Sequence, residues 1–252
     1  MSSSQTLTPR ALEILDRLVA FDTTSRLSNL ALIEWVEAYL DGHGVGHRRV
    51  PNADGTKSNL IATIGPDIPG GVVLSGHTDV VPVDGQPWTS DPFQVTPRNG
   101  RLYGRGTCDM KGFLALSLAA IPDILAAQPK KPVHLAFSYD EEVGCIGAPD
   151  MIRIIASELP SPALVVVGEP TNMEAVSGHK GINTFRVTVR GHEAHSSQTQ
   201  LGASANMVAI RLMGMLADLA EQLEREADPD SLFTPKHATL TVGQVNGGTA
   251  VN

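Results

Sequence analysis

The hydrophobic pattern near the amino terminus predicts two helices. The first has Thr8 as its N-cap and Pro9 in its first turn, both of which favour helix initiation. Its apolar stripe recurs at helical spacing and consists of Leu12, Leu15, Leu18 and Val19. The second predicted helix covers LALIEWVEAYLDGHG and ends at one of its two glycines.

Farther along the chain, short β-branched apolar runs alternate with helical stretches. The runs are NLIATIG, GVVLSGHTDVV, RLYG, PVHLAFSY and ALVVVGEP, and the helical stretches are MKGFLALSLAAIPDILAAQ and APDMIRIIASEL. This alternation predicts an α/β fold, with a mixed, mostly parallel sheet that helices cover on both faces.

The pattern changes after residue 180. INTFRVTVRG has high β-propensity, a long helix is predicted over about residues 204–225, and HATLTVGQV reads as a further strand. We therefore predict one domain over residues 1–180 and the start of a smaller α/β unit over residues 181–252.

Composition excludes several classes of partner. The chain has 252 residues and a formal net charge of −8, so no nucleic acid or anionic membrane is expected as a partner. It contains no signal-peptide pattern and no apolar run of transmembrane length. The two cysteines allow at most one disulfide. A reduced, cytoplasmic protein is the expectation.

Polar residues with metal-binding or acid–base chemistry follow the predicted strands. In open α/β sheets, binding sites form outside the carboxyl ends of the strands. Six carboxylates and one imidazole would meet at this edge if the strands are neighbours, and they are His77, Asp79, Asp109, Asp140, Glu141, Glu142 and Glu169.

This cluster favours a bound dication. Asp140, Glu141 and Glu142 are consecutive, and no basic residue follows them closely in sequence. Such carboxylates repel one another unless a cation is present. Mixed histidine and carboxylate ligands suit zinc, cobalt or manganese better than calcium. Each residue alone is better explained as a helix cap or a loop residue; their recurrence at strand ends supports the metal site.

Four motifs carry a family resemblance. LSGHTDVVP, GRGTCDMKG, DEEVG and GEPT, in this order and spacing, resemble the di-zinc aminoacylase and carboxypeptidase family, and the likeness extends to Asn252. Within that family, GHTDVVPVDGQPWTSDPFQVTPRNGRLYGRGTCDMKGF and GEPTNMEAVSGHKG are most like the acetylornithine deacetylases. The resemblance implies a zinc-exopeptidase-like catalytic domain over residues 1–180 and part of a lid and dimerisation domain over residues 181–252.

The resemblance also implies a role for each strand-end residue. Four would be metal ligands: His77 and Glu169 on the first ion, Asp109 between the ions, and Glu142 on the second. Glu141 would be the general base, and Asp79 would orient His77. Two Zn²⁺ ions per full-length subunit are implied, with Co²⁺ as a substitute.

In the predicted lid, His195 matches a histidine that reaches the partner subunit's active site in this family and stabilises the oxyanion. A homodimer is therefore implied for the full-length protein. His192 is better explained as a surface histidine. Cys108, next to Asp109, has no evident histidine partner and is interpreted as a small buried residue rather than a nucleophile.

The implied substrate is a small N-acyl amino acid. The leading expectation is removal of the acetyl group from N-acetyl-L-ornithine in arginine biosynthesis. Succinyl-diaminopimelate desuccinylase, general aminoacylase and dipeptidase activities are the alternatives within the family.

One departure from the family supports a different class of function. The family's catalytic domain resumes after the lid and supplies a last histidine to the second metal, in a segment that would follow Asn252. The expectation is a truncated chain that keeps the first metal site (His77, Asp109 and Glu169) and holds the second weakly. The alternative is a catalytically impaired fragment that acts only as a binding or oligomerising module.

Overall fold

The computed structural model describes residues 8–249. Their contacts divide the chain into two compact units, Met1–Glu174 and Ala175–Asn252. Each unit is described by itself.

Residues 8–174 of the first unit form five helices and seven strands. The helices are α1 (Pro9–Val19), α2 (Leu30–Gly42), α3 (Lys111–Ala119), α4 (Ile121–Ala126) and α5 (Ala148–Glu158). The strands are β1 (His47–Pro51), β2 (Ser58–Ile64), β3 (Val72–His77), β4 (Thr96–Arg98), β5 (Arg101–Tyr103), β6 (Val133–Ser138) and β7 (Leu164–Val167).

The predicted start of the first helix is confirmed by local geometry. Thr8 caps α1, and its side-chain oxygen accepts a hydrogen bond from the backbone N–H of Ala11 at 3.2 Å. The predicted helical stretch MKGFLALSLAAIPDILAAQ consists of two helices, α3 and α4. Pro122 lies in the first turn of α4, where its missing N–H is tolerated, whereas inside a continuous helix it would remove a hydrogen bond.

The main sheet has the strand order β1-β2-β6-β3-β7. β6, β3 and β7 pair in parallel, whereas β2 runs antiparallel to both β1 and β6. Four of the five strands therefore point the same way, and the mixed, helix-flanked sheet is confirmed. β4 and β5 form a separate two-stranded ribbon. The sequence pattern did not predict β1 or β4, which are short and mostly polar.

Helices cover both faces of this sheet. On one face, Leu60, Leu135 and Phe137 join a large core with α1, α2 and α3. On the other face, Ile61 and Ala136 join a smaller core that includes Met151 of α5. The alternation between faces follows from the two-residue period of a strand. At the last strand of the sheet, all four residues of β7 are exposed.

The close packing of α3 on β3 requires a glycine at position 76. A Cβ atom there would lie 2.8 Å from side-chain atoms of both Leu114 and Met110. Because Gly76 has none, the start of α3, and Asp109 just before it, can approach the carboxyl end of β3.

The second unit contains one long helix, α6 (Ala205–Arg225), which confirms the helix predicted there. Ser204 caps it by accepting a hydrogen bond from the backbone N–H of Met207 at 3.3 Å. The predicted strands INTFRVTVRG and HATLTVGQV are wrong: neither segment forms a strand. No described residue of this unit is buried, so neither segment has the pairing and packing that turn β-propensity into a strand.

Membrane-spanning geometry is absent from residues 8–249, where every helix is too short or too polar to cross a bilayer.

Candidate metal centre

His77 is the last residue of β3 and lies at the carboxyl edge of the parallel strands. The register sets it opposite Ser138, the last residue of β6. The backbone N–H of Thr78 donates to the carbonyl oxygen of Ser138 at 2.8 Å. This hydrogen bond holds the segment that leaves β3 beside the end of β6. The residues that follow β3 and β6 therefore enter the site side by side.

Three carboxylates surround the imidazole of His77. Its Nε2 atom lies 3.0 Å from an oxygen of Asp109, 3.7 Å from one of Glu169 and 3.8 Å from one of Glu141. The His77 side chain is only 2% exposed, whereas those of Glu141 and Glu169 are 37% exposed. A buried nitrogen donor is thus ringed by oxygen donors that solvent can reach.

Two groups of residues in this cluster could hold a metal ion. One consists of His77, Glu141 and Glu169, and the other of His77, Asp109 and Glu142. Within each group, the potential ligand atoms lie within 4.8 Å of one another. The structure therefore brings together all four predicted ligands and the predicted base. It also places Glu141 and Glu142 in different groups.

Asp79 is a buried hydrogen-bond acceptor beneath the cluster. Its carboxylate lies 3.5 Å from Nδ1 of His77, whose ring also contacts the Asp79 carbonyl oxygen at 2.9 Å. The same carboxylate accepts hydrogen bonds from the hydroxyl of Ser25 at 2.7 Å and from the backbone N–H groups of Glu141 and Glu142 at 3.1 and 3.2 Å. Asp79 thus holds the histidine and the two glutamates in one arrangement.

The acidic loop, residues 140–145, follows β6 and is not extended. Asp140 has a φ of 55°, and the backbone N–H of Cys145 donates to the carbonyl of Glu141. The two glutamates therefore diverge because the chain turns between them and the end of β6. Asp140 itself points away to Lys57, whose ammonium lies 2.5 Å from its carboxylate. The triplet has a cationic neighbour that lies far away in sequence.

Mutual repulsion and burial shift the pKa values in the cluster. Burial and the charge of Asp109 raise the pKa of Glu142 to about 7, and burial also raises the pKa of Glu169. Burial lowers the pKa of His77, but the hydrogen bond and charge of Asp79 and the charge of Glu169 outweigh it and raise that pKa to about 9. Burial also opposes ionisation of Asp79, yet its hydrogen bonds to His77 and Ser25 lower its pKa. Without a metal ion, protons supply part of the positive charge that these carboxylates lack.

The donor set fits a zinc-like dication. One imidazole nitrogen and several carboxylate oxygens within ligand distance of one another are the mixed donors that zinc and related ions take. The His77 ring is fixed through its other nitrogen by Asp79, as ligand histidines usually are.

Two cysteine predictions have definite outcomes. Both Cys108 and Cys145 are free and exposed, so no disulfide forms between them. The buried position predicted for Cys108 is wrong, because the turn before α3 directs it to solvent. Cys145 lies against the cluster instead, with its sulfur 3.6 Å from a carboxylate oxygen of Glu141.

His195 lies in the second unit, where its Nδ1 atom contacts the hydroxyl of Ser197 at 2.8 Å. His192 forms an isolated β-bridge with Ala203 and is exposed.

Comparison with known proteins identifies the family. The sequence profile of peptidase family M20/M25/M40 matches residues 73–243, which is more than half of the chain. The chain belongs to this peptidase family. The matched stretch contains every predicted ligand, from His77 to Glu169.

Among curated M20 relatives, an acetylornithine deacetylase of Myxococcus xanthus is 40% identical over 243 residues, which cover 94% of this chain and 62% of that protein. An acetylornithine deacetylase of Proteus mirabilis (strain HI4320) is 34% identical over 253 residues, which cover 97% of this chain and 64% of that protein. The chain thus spans less than two thirds of these relatives' length.

A solved M20 structure shares the fold. The M20 family metallo-carboxypeptidase of Sulfolobus solfataricus is 25% identical, with a TM-score of 0.56 over 64% of this chain and 37% of that one. The likeness supports an M20-type catalytic fold for the sheet and its helices.

Proposed function

We propose that this chain is the metal-binding part of a zinc-dependent amide hydrolase that removes the acetyl group from N-acetyl-L-ornithine. The products would be L-ornithine and acetate, as a step in arginine biosynthesis. The observation that carries the proposal is the convergence of His77 with Asp109, Glu141, Glu142 and Glu169 in a chain 40% identical to an acetylornithine deacetylase.

The chain's residues divide into ligands and a base in this proposal. His77, Asp109, Glu142 and Glu169 would hold two zinc ions, with cobalt as a substitute. When bound, zinc supplies Lewis acidity that polarises a carbonyl group and lowers the pKa of water. Asp79 keeps the His77 ring in one orientation through Nδ1, which leaves Nε2 free to act as the donor.

Glu141 would accept the proton of the attacking water and pass it to the leaving amine. Its side chain is 37% exposed and lies 3.8 Å from His77, so it faces the same space as the ligands while remaining open to solvent. A carboxylate in that position can act first as a base and then as an acid.

The substrate assignment is tested with a panel of amides. We expect the zinc- or cobalt-loaded protein to cleave N-acetyl-L-ornithine faster than N-succinyl-L,L-diaminopimelate, other N-acetyl amino acids and dipeptides. Preference for the succinyl substrate would instead identify a desuccinylase. If this chain binds metal but cleaves none of them, while a chain extended to the length of its relatives does, the 252 residues are a binding module only.

The division of roles is tested at the two adjacent glutamates. Glu141→Ala should abolish turnover and leave the metal content near that of the unmodified chain, because the base is not a ligand. Glu142→Ala should lower the metal content. The reverse pattern, measured by elemental analysis after gel filtration, would show that the two roles are exchanged.

The remaining assignments extend this proposal beyond the metal centre. Residues 1–180 would be the catalytic domain and residues 181–252 part of a lid through which the full-length protein forms a homodimer. His195 would reach the partner's active site and stabilise the oxyanion. Two free, exposed cysteines support a reducing compartment such as the cytoplasm.

A further inference from the structure

A closed ring of polar contacts lies behind the acidic loop. The Lys57 ammonium contacts the carboxylate of Asp140 and the carbonyl oxygen of Ser25. The hydroxyl of Ser25 donates to Asp79, and Asp79 accepts the backbone N–H groups of the two glutamates that follow Asp140. We call this set, Ser25, Lys57, Asp79 and Asp140, the polar ring. The polar ring contacts the acidic loop twice: Lys57 binds the Asp140 side chain, and Asp79 binds the backbone of Glu141 and Glu142.

The short segment after α1 fixes one side of the polar ring. Thr24 forms a parallel bridge with Val80, and the backbone N–H of Ser25 donates to the carbonyl of Val80 at 3.2 Å. The Thr23 hydroxyl donates to the carbonyl of Thr78 at 2.6 Å. Ser25 is therefore held against the chain that leaves β3, within reach of Asp79.

The ion pair of Lys57 with Asp140 fixes the other side. Their side chains are only 14% and 13% exposed, so water screens the pair less than it would a surface pair. Asp140 has a φ of 55°, in the left-handed region that residues other than glycine seldom adopt. A contact that anchors its side chain favours this conformation over the alternatives, and the conformation sets the direction in which Glu141 leaves the strand.

Charge gives Lys57 a second effect. Asp140, Glu141 and Glu142 are consecutive carboxylates, and neutralising the first of them lowers the repulsion that the other two experience. Asp140, which is paired with Lys57, belongs to neither of the two ligand groups.

We propose that Lys57 is a positioning residue that directs the side chains of Glu141 and Glu142 to different sides of the cluster, Glu141 beside Glu169 and Glu142 beside Asp109. It acts through Asp140, and within residues 8–249 its ammonium makes hydrogen bonds with Asp140 and Ser25 and with none of the candidate ligands. The inference rests on the proposed function for the meaning of the two groups, although the positioning itself concerns metal binding and can be measured without turnover.

The test compares three lysine variants. Lys57→Met removes the charge and keeps the chain length, Lys57→Arg keeps the charge, and Lys131→Met is the matched control. Lys131 also donates to a backbone carbonyl, that of Pro69 at 2.7 Å, but it is exposed and lies just before β6, at the opposite end of that strand. Each variant is loaded with Co²⁺ alone, and its visible absorption spectrum and Co²⁺ affinity are recorded before any assay.

We expect Lys57→Met to change the cobalt spectrum and to weaken Co²⁺ binding by about 10–100-fold, the range found when groups that orient ligands are removed. Lys57→Arg should keep most of the original cobalt spectrum and Co²⁺ affinity, and Lys131→Met should match the unmodified chain in both. In the hydrolase assay, kcat of Lys57→Met should fall by about the same factor while KM changes less than about twofold, because substrate contacts are unaffected.

An unchanged cobalt spectrum and affinity in Lys57→Met would overturn the positioning role, whatever the activity. So would a Lys57→Arg variant that is as impaired as Lys57→Met. If Lys57→Met does not fold, the cobalt spectrum and Co²⁺ affinity of Asp140→Asn test the positioning role in its place. This variant keeps a hydrogen-bond acceptor for Lys57 and removes the carboxylate charge. A chain with the expected spectra but no amide cleavage would refute the proposed function and leave the positioning role supported.

Discussion

Both units of the chain contain β-branched runs, but only the run in the first unit forms a strand. NLIATI in the first unit is β2, paired on both sides by β1 and β6 and buried on both faces. INTFRVTVRG in the second unit has comparable β-propensity, yet it forms no strand, and Ile182 and Phe185 are 89% and 81% exposed. A strand is therefore a product of pairing and burial, and propensity only permits it.

The largest expected difference between the units concerns stability. Leu18→Ala should lower the free energy of unfolding by about 3–5 kcal/mol, because Leu18 is fully buried and its removal leaves a cavity. Leu219→Ala on α6 should change it by less than about 0.5 kcal/mol, since Leu219 is 41% exposed. Urea unfolding followed by the fluorescence of Trp35 and Trp88, both in the first unit, measures the first effect. Equal losses of unfolding free energy in Leu18→Ala and Leu219→Ala would contradict the expected difference between the two units.

Metal affinity should depend on the first unit alone. His77 belongs to both ligand groups, so His77→Ala should weaken zinc binding by at least about 100-fold, or about 2.7 kcal/mol. The matched change His195→Ala in the second unit should leave the zinc affinity within about twofold. Titration against a competing chelator gives both values, and a large effect of His195→Ala would show that the second unit contributes to the centre.

The same centre should bind metal with a defined pH dependence. His77 must lose its proton to become a ligand, and its pKa of about 9 means that protons compete with the metal below that pH. Glu142, with a pKa of about 7, has mostly lost its own proton by pH 7.5. Zinc affinity should therefore rise about tenfold from pH 7.5 to 8.5 and level off above pH 9. A flat affinity over that interval would contradict the raised pKa of His77.

The smallest expected effect compares two helix caps. Thr8→Ala and Ser204→Ala each remove a hydrogen bond to a helix amide, at a cost of about 1 kcal/mol. Thr8→Ala should lower the unfolding free energy of the first unit by that amount, because α1 is packed in its core. Ser204→Ala should only speed hydrogen exchange in the first turn of α6. A shift of the tryptophan transition in Ser204→Ala would show that α6 unfolds together with the first unit.

The sequence was most informative about the candidate centre. His77 ends β3, whereas the acidic triplet and Glu169 follow β6 and β7. Parallel pairing of β6, β3 and β7 brings the carboxyl ends of these strands to one edge. The rule that sites form at the carboxyl ends of strands depends on strand direction alone, so it can be applied to a sequence before the fold is known. Asp109 follows no strand, but it was also predicted from the sequence, because a glycine-rich turn precedes it and a helical stretch follows it; the family motifs added its role as a ligand.

The sequence could not predict the polar ring. Ser25 and Lys57 are 54 and 83 residues from their partners Asp79 and Asp140, and neither lies in a distinctive motif. Only the folded chain shows that the acidic triplet has a cationic neighbour. The two failed strands have a related cause, because pairing partners are long-range contacts that local composition does not encode.

The register of β3 on β6 divides the chain into segments that can and cannot tolerate changes in length. His77 lies opposite Ser138, and inserting one residue into either strand would turn every later side chain to the other face of the sheet. Sixty-one residues separate Asp79 from Glu141 in sequence, and the helices and strands among them, together with Asp109 and Asp140, also have fixed positions; the segments that connect these parts carry no such constraint. Insertions and deletions among homologues, and loops grafted by design, should therefore gather in residues 82–94, which form neither helix nor strand. The two-residue step from His77 to Asp79 and the three-residue step from Ser138 to Glu141 should keep their lengths.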